Sequence, residues 1–144
     1  MIKLKTFGSF TVGNGLTSVQ EGAWRSEKLE KLFVYLAMNR NRGVCIEDIS
    51  EAIWQVEEET DNPVGALKNL AYRLRKALRD ASFDEECIVS VRGGLYKWND
   101  DVEVTIDVEE FDRYINEAEM AFCRSKETAI ESYEKAIALY HGDF

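Results

Sequence analysis

The chain has 144 residues, which is enough for one ordinary domain or for a small domain with part of another. Its 45% hydrophobic and 31% charged composition is that of a soluble globular protein; no apolar run approaches the roughly 18 residues of a membrane span, and the alternating start MIKLKTF lacks a signal-peptide core. The net charge of −9 is unevenly distributed: residues 1–98 carry 14 basic and 14 acidic side chains, residues 99–144 carry 4 and 13, so the overall acidity does not exclude a nucleic-acid partner.

In chain order, Ile2/Leu4 and Phe10/Val12 alternate on either side of polar residues, and Gly13-Asn14-Gly15 supplies a turn. This predicts short antiparallel strands, with LTSVQEGAW adding one or two more. Ser26 is placed to cap a first helix with Leu29, Leu32, Phe33, Leu36 and Ala37 on its apolar face, ending near Asn39–Gly43. Val44 and Cys45 lead into a second helix marked by Ile46, Ile49, Ile53 and Trp54. The acidic stretch QVEEETDNP follows. Asn62 and Pro63 then open a third, long helix with Leu67, Leu70, Leu74 and Leu78 along one side. CIVSVRGGLYKW predicts a hairpin of Ile88–Val91 and Leu95–Trp98 turning at Gly93–Gly94. From residue 99 the chain reads as an acidic linker, and two helical patterns close it, through Phe111, Tyr114, Ala118 and Phe122 and then Ala129, Ile130, Tyr133, Ala136 and Ile137. Cys45, Cys87 and Cys123 are odd in number and far apart, with no Cys-x-x-Cys. They read as reduced, buried residues, with no disulfide framework and no metal site.

The third helix carries most of the chemistry. Lys68, Tyr72, Arg75, Lys76 and Arg79 recur at i, i+4, i+7, i+8 and i+11, and Asn69, Arg73 and Lys76 form an adjoining row opposite the leucines. Arginine and lysine neutralise phosphates and bond guanine edges; asparagine bonds adenine bidentately. A helix fits the major groove, and three helices followed by a hairpin are the parts of a winged helix-turn-helix. Arg92, at the hairpin tip, is the type of side chain that enters a minor groove. The plainer reading of such a helix is a solvated cationic face.

YRLRKALRD followed by IVSVRGGLYKW closely resembles the recognition helix and wing of the OmpR/PhoB-type winged helix domain, and residues 24–54 resemble its first two helices. AIESYEKAIALYHGDF is similar to the start of the bacterial transcriptional activator domain, a pairing that marks the SARP family of bacterial transcription activators. The resemblance implies an α+β fold: a winged helix-turn-helix with an N-terminal antiparallel β-sheet at 1–98, then an acidic linker and the first helix pair, tetratricopeptide-like, of a truncated activator domain at 99–144. It therefore implies a piece of a longer regulator. It also implies base contacts at Lys68, Asn69, Tyr72 and Arg73, a phosphate contact at Arg75, a minor-groove contact at Arg92, and phosphate contacts at Ser90 and Trp54. Lys76 and Arg79 join the phosphate contacts by their charge. In the family the loop between the second and third helices is a surface that can touch RNA polymerase or sigma factor, and the resemblance places that role on Glu57, Glu58, Glu59 and Asp61.

The function so implied is sequence-specific binding of double-stranded promoter DNA by a cytoplasmic activator with no cofactor and no membrane partner, and family behaviour implies direct repeats bound by a homodimer. The chain departs from the family pattern at Val64 and Gly65, where a polar or basic residue is common, and at the wing turn, which reads Gly-Gly-Leu-Tyr. The alternative is a protein-interaction module that binds no DNA, with the acidic residues 99–112 laid over the cationic helix. An enzyme is disfavoured: the single histidine, His141, suits a helix cap, and no phosphate loop, nucleophile elbow or metal-ligand cluster is present.

Overall fold

The computed structural model describes residues 1–54, 62–83, 87–91, 94–122 and 124–142. Strands β1 (Ile2–Lys5), β2 (Thr11–Gly13) and β3 (Ser18–Gln20) form the antiparallel sheet that the alternation predicts. Ile2, Leu4, Val12 and Val19 point into the core while Lys3 and Lys5 face solvent, as the two-residue period of a strand requires. Leu4 pairs with Val12, and Val12 with Val19, so the three strands present one apolar face.

Helix α1 (Glu27–Met38) starts where the sequence places it, with the Ser26 hydroxyl accepting from the Leu29 N–H at 3.3 Å. Its five predicted apolar positions are all buried. Phe33 is the centre of an aromatic cluster, meeting Trp24, Phe10 and Trp98 at ring-centroid separations of 5.6, 6.4 and 5.3 Å. These edge contacts join the N-terminal sheet, α1 and the wing in one core.

Val44 and Cys45, expected as a lead-in, form a short strand, β4, ahead of helix α2 (Ile46–Ile53). Helix α3 spans Pro63–Asp80, with proline in its first turn and the Asn62 side chain accepting from the Gly65 N–H at 3.0 Å. Alanine at position 62 leaves that donor uncapped and is expected to cost about 1 kcal/mol, read as a lower urea midpoint at unchanged slope. Strands β5 (Ile88–Val91) and β6 (Leu95–Trp98) form the predicted hairpin, and β4 joins it to give the order β4-β6-β5.

The segment from residue 99 differs from the sequence expectation of a linker. Val104–Ile106 form a strand, β7, parallel to β1 with Ile2 opposite Val104 and Leu4 opposite Ile106. The N-terminal sheet is therefore β3-β2-β1-β7, antiparallel except for its last pair. The apolar alternation of Val104 and Ile106 is short and lies among acids, which hides it from a composition reading. Three of its acids are engaged away from α3: Asp100 pairs with Lys97, Asp107 bonds Thr6 and Phe7 just past β1, and Glu109 bonds Arg40 just past α1.

Helix α4 (Asp107–Phe122) follows at once, and α5 (Lys126–Leu139) packs on it through the small residues Ala118, Ala129, Ser132 and Ala136. The carboxylate of Asp107, 7% exposed, accepts from the Thr6 and Phe7 backbone N–H groups at 2.9–3.0 Å and from the Thr6 hydroxyl at 2.8 Å. Arg40, past the end of α1, grips Glu109 with both terminal guanidinium nitrogens at 2.6 and 2.8 Å. That bond holds the Arg40 guanidinium above its ordinary value, against the opposing effect of burial. Phe7 meets Phe111 and Tyr140 at 5.5 and 5.2 Å. The helix pair is thus fastened to the winged part. Its predicted apolar stripe is only partly covered, with Ile130 and Ile137 exposed beside Phe122 and Met120. Among the described residues no helix is long and apolar enough to cross a membrane.

Candidate nucleic-acid interface

The α3 helix is built as two faces. Leu67, Leu70, Ala71, Leu74 and Leu78 are buried against α1 and α2, the spacing that puts them on one side of a 3.6-residue helix. Lys68, Asn69, Tyr72, Arg73, Lys76 and Arg79 consequently project from the other side and are exposed. Tyr72, 63% exposed, stands among the cations with its ring in solvent. A protruding helix of about 10–12 Å diameter bearing cations, one amide and one phenol has the width and chemistry of a major-groove reader.

Besides the packed leucines, side-chain hydrogen bonds tie this helix to its surroundings. The Thr17 hydroxyl, in the β2–β3 turn, donates to the Ala81 carbonyl just past the end of α3 at 3.1 Å. One guanidinium nitrogen of Arg75 donates to the Ile88 carbonyl at the start of β5, also at 3.1 Å. Arg75 is half-buried, unlike the other α3 cations. Trp54, which caps the C-terminal end of α2, is also partly buried and packs against the core.

Six of the predicted contact residues are thereby brought onto one exposed face, with Arg75 at its edge. Ser90 lies on β5, but its side chain is outside the described residues, as are Arg92 and the loop acids Glu57, Glu58, Glu59 and Asp61. Cys87 is buried, as expected, whereas Cys45 is only half-buried at the start of α2, and Cys123 is outside the described residues. Among the described residues no three His, Cys, Asp or Glu side chains are grouped to hold a metal. His141 follows α5 and is exposed, and its carbonyl lies against Gly8, where an added Cβ would come within 2.5 Å.

Residues 21–98, just over half of the chain, match the family model described as "Transcriptional regulatory protein, C terminal". The chain belongs to this family. It is the OmpR/PhoB-type winged helix family of DNA-binding transcription regulators, not an enzyme class. The matched segment runs from just before α1 through β6, so it contains the helix-turn-helix and the wing and leaves out the helix pair. Among solved structures, Mycobacterium tuberculosis EmbR, determined in complex with a low affinity phosphopeptide, is similar with a TM-score of 0.75 and 20% identity. The similarity covers 98% of this chain and 36% of that one, and at this identity it is one of fold. The shared fold therefore reaches beyond the matched family segment into the helix pair. A search of curated proteins finds no match to this chain.

Proposed function

We propose that the chain is the sequence-specific, double-stranded-DNA-binding part of a cytoplasmic transcription activator of the SARP type. The observation that carries this reading is the single exposed face of α3, where Lys68, Asn69, Tyr72, Arg73, Lys76 and Arg79 stand together on the side turned away from the leucines. In this reading α3 enters the major groove. Lys68, Asn69, Tyr72 and Arg73 meet base edges, and Lys76, Arg79, Trp54, Ser90 and the outer nitrogens of Arg75 meet phosphates. Arg92 carries the wing into the adjacent minor groove.

The loop acids Glu57, Glu58, Glu59 and Asp61 would then face a basic patch of RNA polymerase or its sigma factor, and two copies would sit side by side on direct repeats. Residues 1–98 form the DNA-binding domain, and residues 99–144 contribute the first helix pair of the activator domain. The exposed Met120, Phe122, Ile130 and Ile137 on that pair favour a protein-contact role for this second part.

Fluorescence anisotropy on a pool of random duplexes tests the reading. Binding is expected to weaken linearly in log Kd against log salt, with a slope near 0.9 per neutralised phosphate. Selection from the same pool should enrich one half-site. No binding at low salt, or binding without any enrichment, would move the weight to a protein-interaction module.

A further inference from the structure

We infer that Arg75 is a positioning residue that locks the wing to the recognition helix, so that the two meet DNA as one rigid unit. This rests on the DNA-binding reading above and deepens it.

Arg75 shares a helix with four other cations, yet it is the half-buried one, and it turns one guanidinium nitrogen back onto the Ile88 carbonyl at 3.1 Å. Position 75 explains this: it is one helical turn from both Ala71 and Leu78, at the border of the buried stripe. Its aliphatic stem therefore runs along the protein before the charge is reached. The acceptor is equally specific. β5 is the edge strand of the β4-β6-β5 sheet, so among the described residues one side of its backbone has no strand partner. A charged donor on one of those carbonyls is stronger than a neutral one. Ile88 itself is buried and pairs with Trp98, which meets Phe33 in the aromatic cluster. The Arg75 bond therefore joins α3 to the end of the hairpin already rooted in the core. A guanidinium has five N–H donors, so one nitrogen spent on a carbonyl leaves the others for phosphate.

A phosphate contact alone would matter only when DNA is present, whereas a positioning bond also acts in the free protein. The test is therefore amide hydrogen exchange of the β5–β6 hairpin without DNA, in wild type, Arg75→Gln and Arg75→Met, paired with duplex affinity with and without Arg92→Ala. Arg75→Met keeps the stem and serves if the glutamine variant fails to fold. Exchange in the hairpin is expected to quicken about tenfold, the low end for losing a hydrogen bond to a charged group, while α1 amides stay unchanged. On DNA, Arg92→Ala is expected to cost much less in the Arg75 variant than in wild type, because a loosened wing no longer presents its tip. Unchanged hairpin exchange, or additive effects of the two substitutions, would overturn the proposal and leave Arg75 as a phosphate ligand only. If the wild-type protein binds no duplex, the DNA reading fails by itself, and the exchange comparison still decides whether Arg75 holds the wing.

Discussion

Replacing Asp107 with alanine is expected to destabilise the protein by about 3–5 kcal/mol. The carboxylate fills a pocket formed by the Thr6 and Phe7 backbone and the Thr6 hydroxyl, and is 7% exposed. Alanine removes the acceptor and leaves the backbone N–H groups of Thr6, Phe7 and Val108 and the Thr6 hydroxyl without it. Each such group, if it stays buried, costs about 1–3 kcal/mol. Asparagine keeps one acceptor oxygen and should lose less. Urea unfolding checks this, with Asp112→Ala as the control: Asp112 is an exposed acid on the same helix, and its loss should stay within about 0.5 kcal/mol. Equal midpoints for Asp107→Ala and Asp112→Ala would mean that the pocket relaxes to let water in. The same substitution should also loosen the helix pair, since Asp107 is the first residue of α4 and follows β7 directly.

The triple substitution Lys68→Ala/Arg73→Ala/Arg92→Ala is expected to weaken duplex binding at low salt by about 100- to 10,000-fold. That corresponds to roughly 1–2 kcal/mol for each base or groove contact. The salt slope should become shallower as well, because fewer counterions are released. Stability should hardly respond to the two helix substitutions, because Lys68 and Arg73 are exposed and opposite the leucine stripe. The Lys68→Ala/Arg73→Ala pair should therefore unfold within about 0.5 kcal/mol of wild type. Retained affinity in the triple variant would shift the contact surface away from α3 and the wing, even if the protein binds DNA.

The elements that were legible in the sequence are those specified by neighbours along the chain. Ser26 three residues before Leu29, and Asn62-Pro63 before a leucine stripe, fix α1 and α3 locally, and the structure places both helices there. The basic face of α3 follows from the same stripe, because whatever lies opposite buried leucines must face out. Two strands were not legible. β4 is only two residues long, too short to show a period, and exists because β6 lies beside it. β7 is written in three residues between acids. Asp107 reads as one acid in a run of acids because its partners are 100 and 101 positions away. Arg75 reads as one more cation, although its position one turn from Ala71 and Leu78 was the available hint that it sits at the edge of the core.

Pairing β1 with β7 also sets an order of events during synthesis. Ile2 reaches its partner Val104 only after about 100 intervening residues have been made. Until then β1 has one unpaired side, an open template for another chain. Long-range parallel pairing of this kind is slow to form, because the loop must close before the contacts reward it. A chain cut at residue 98 would keep all of the helix-turn-helix and wing, yet it would retain that open edge permanently, along with the unfilled Thr6–Phe7 pocket. Such a chain is expected to self-associate more readily than the 144-residue protein. The stretch from 99 to 107 is thus the seal on the N-terminal sheet, and the unit that carries α3 and the wing is complete only when the first turn of α4 has been made.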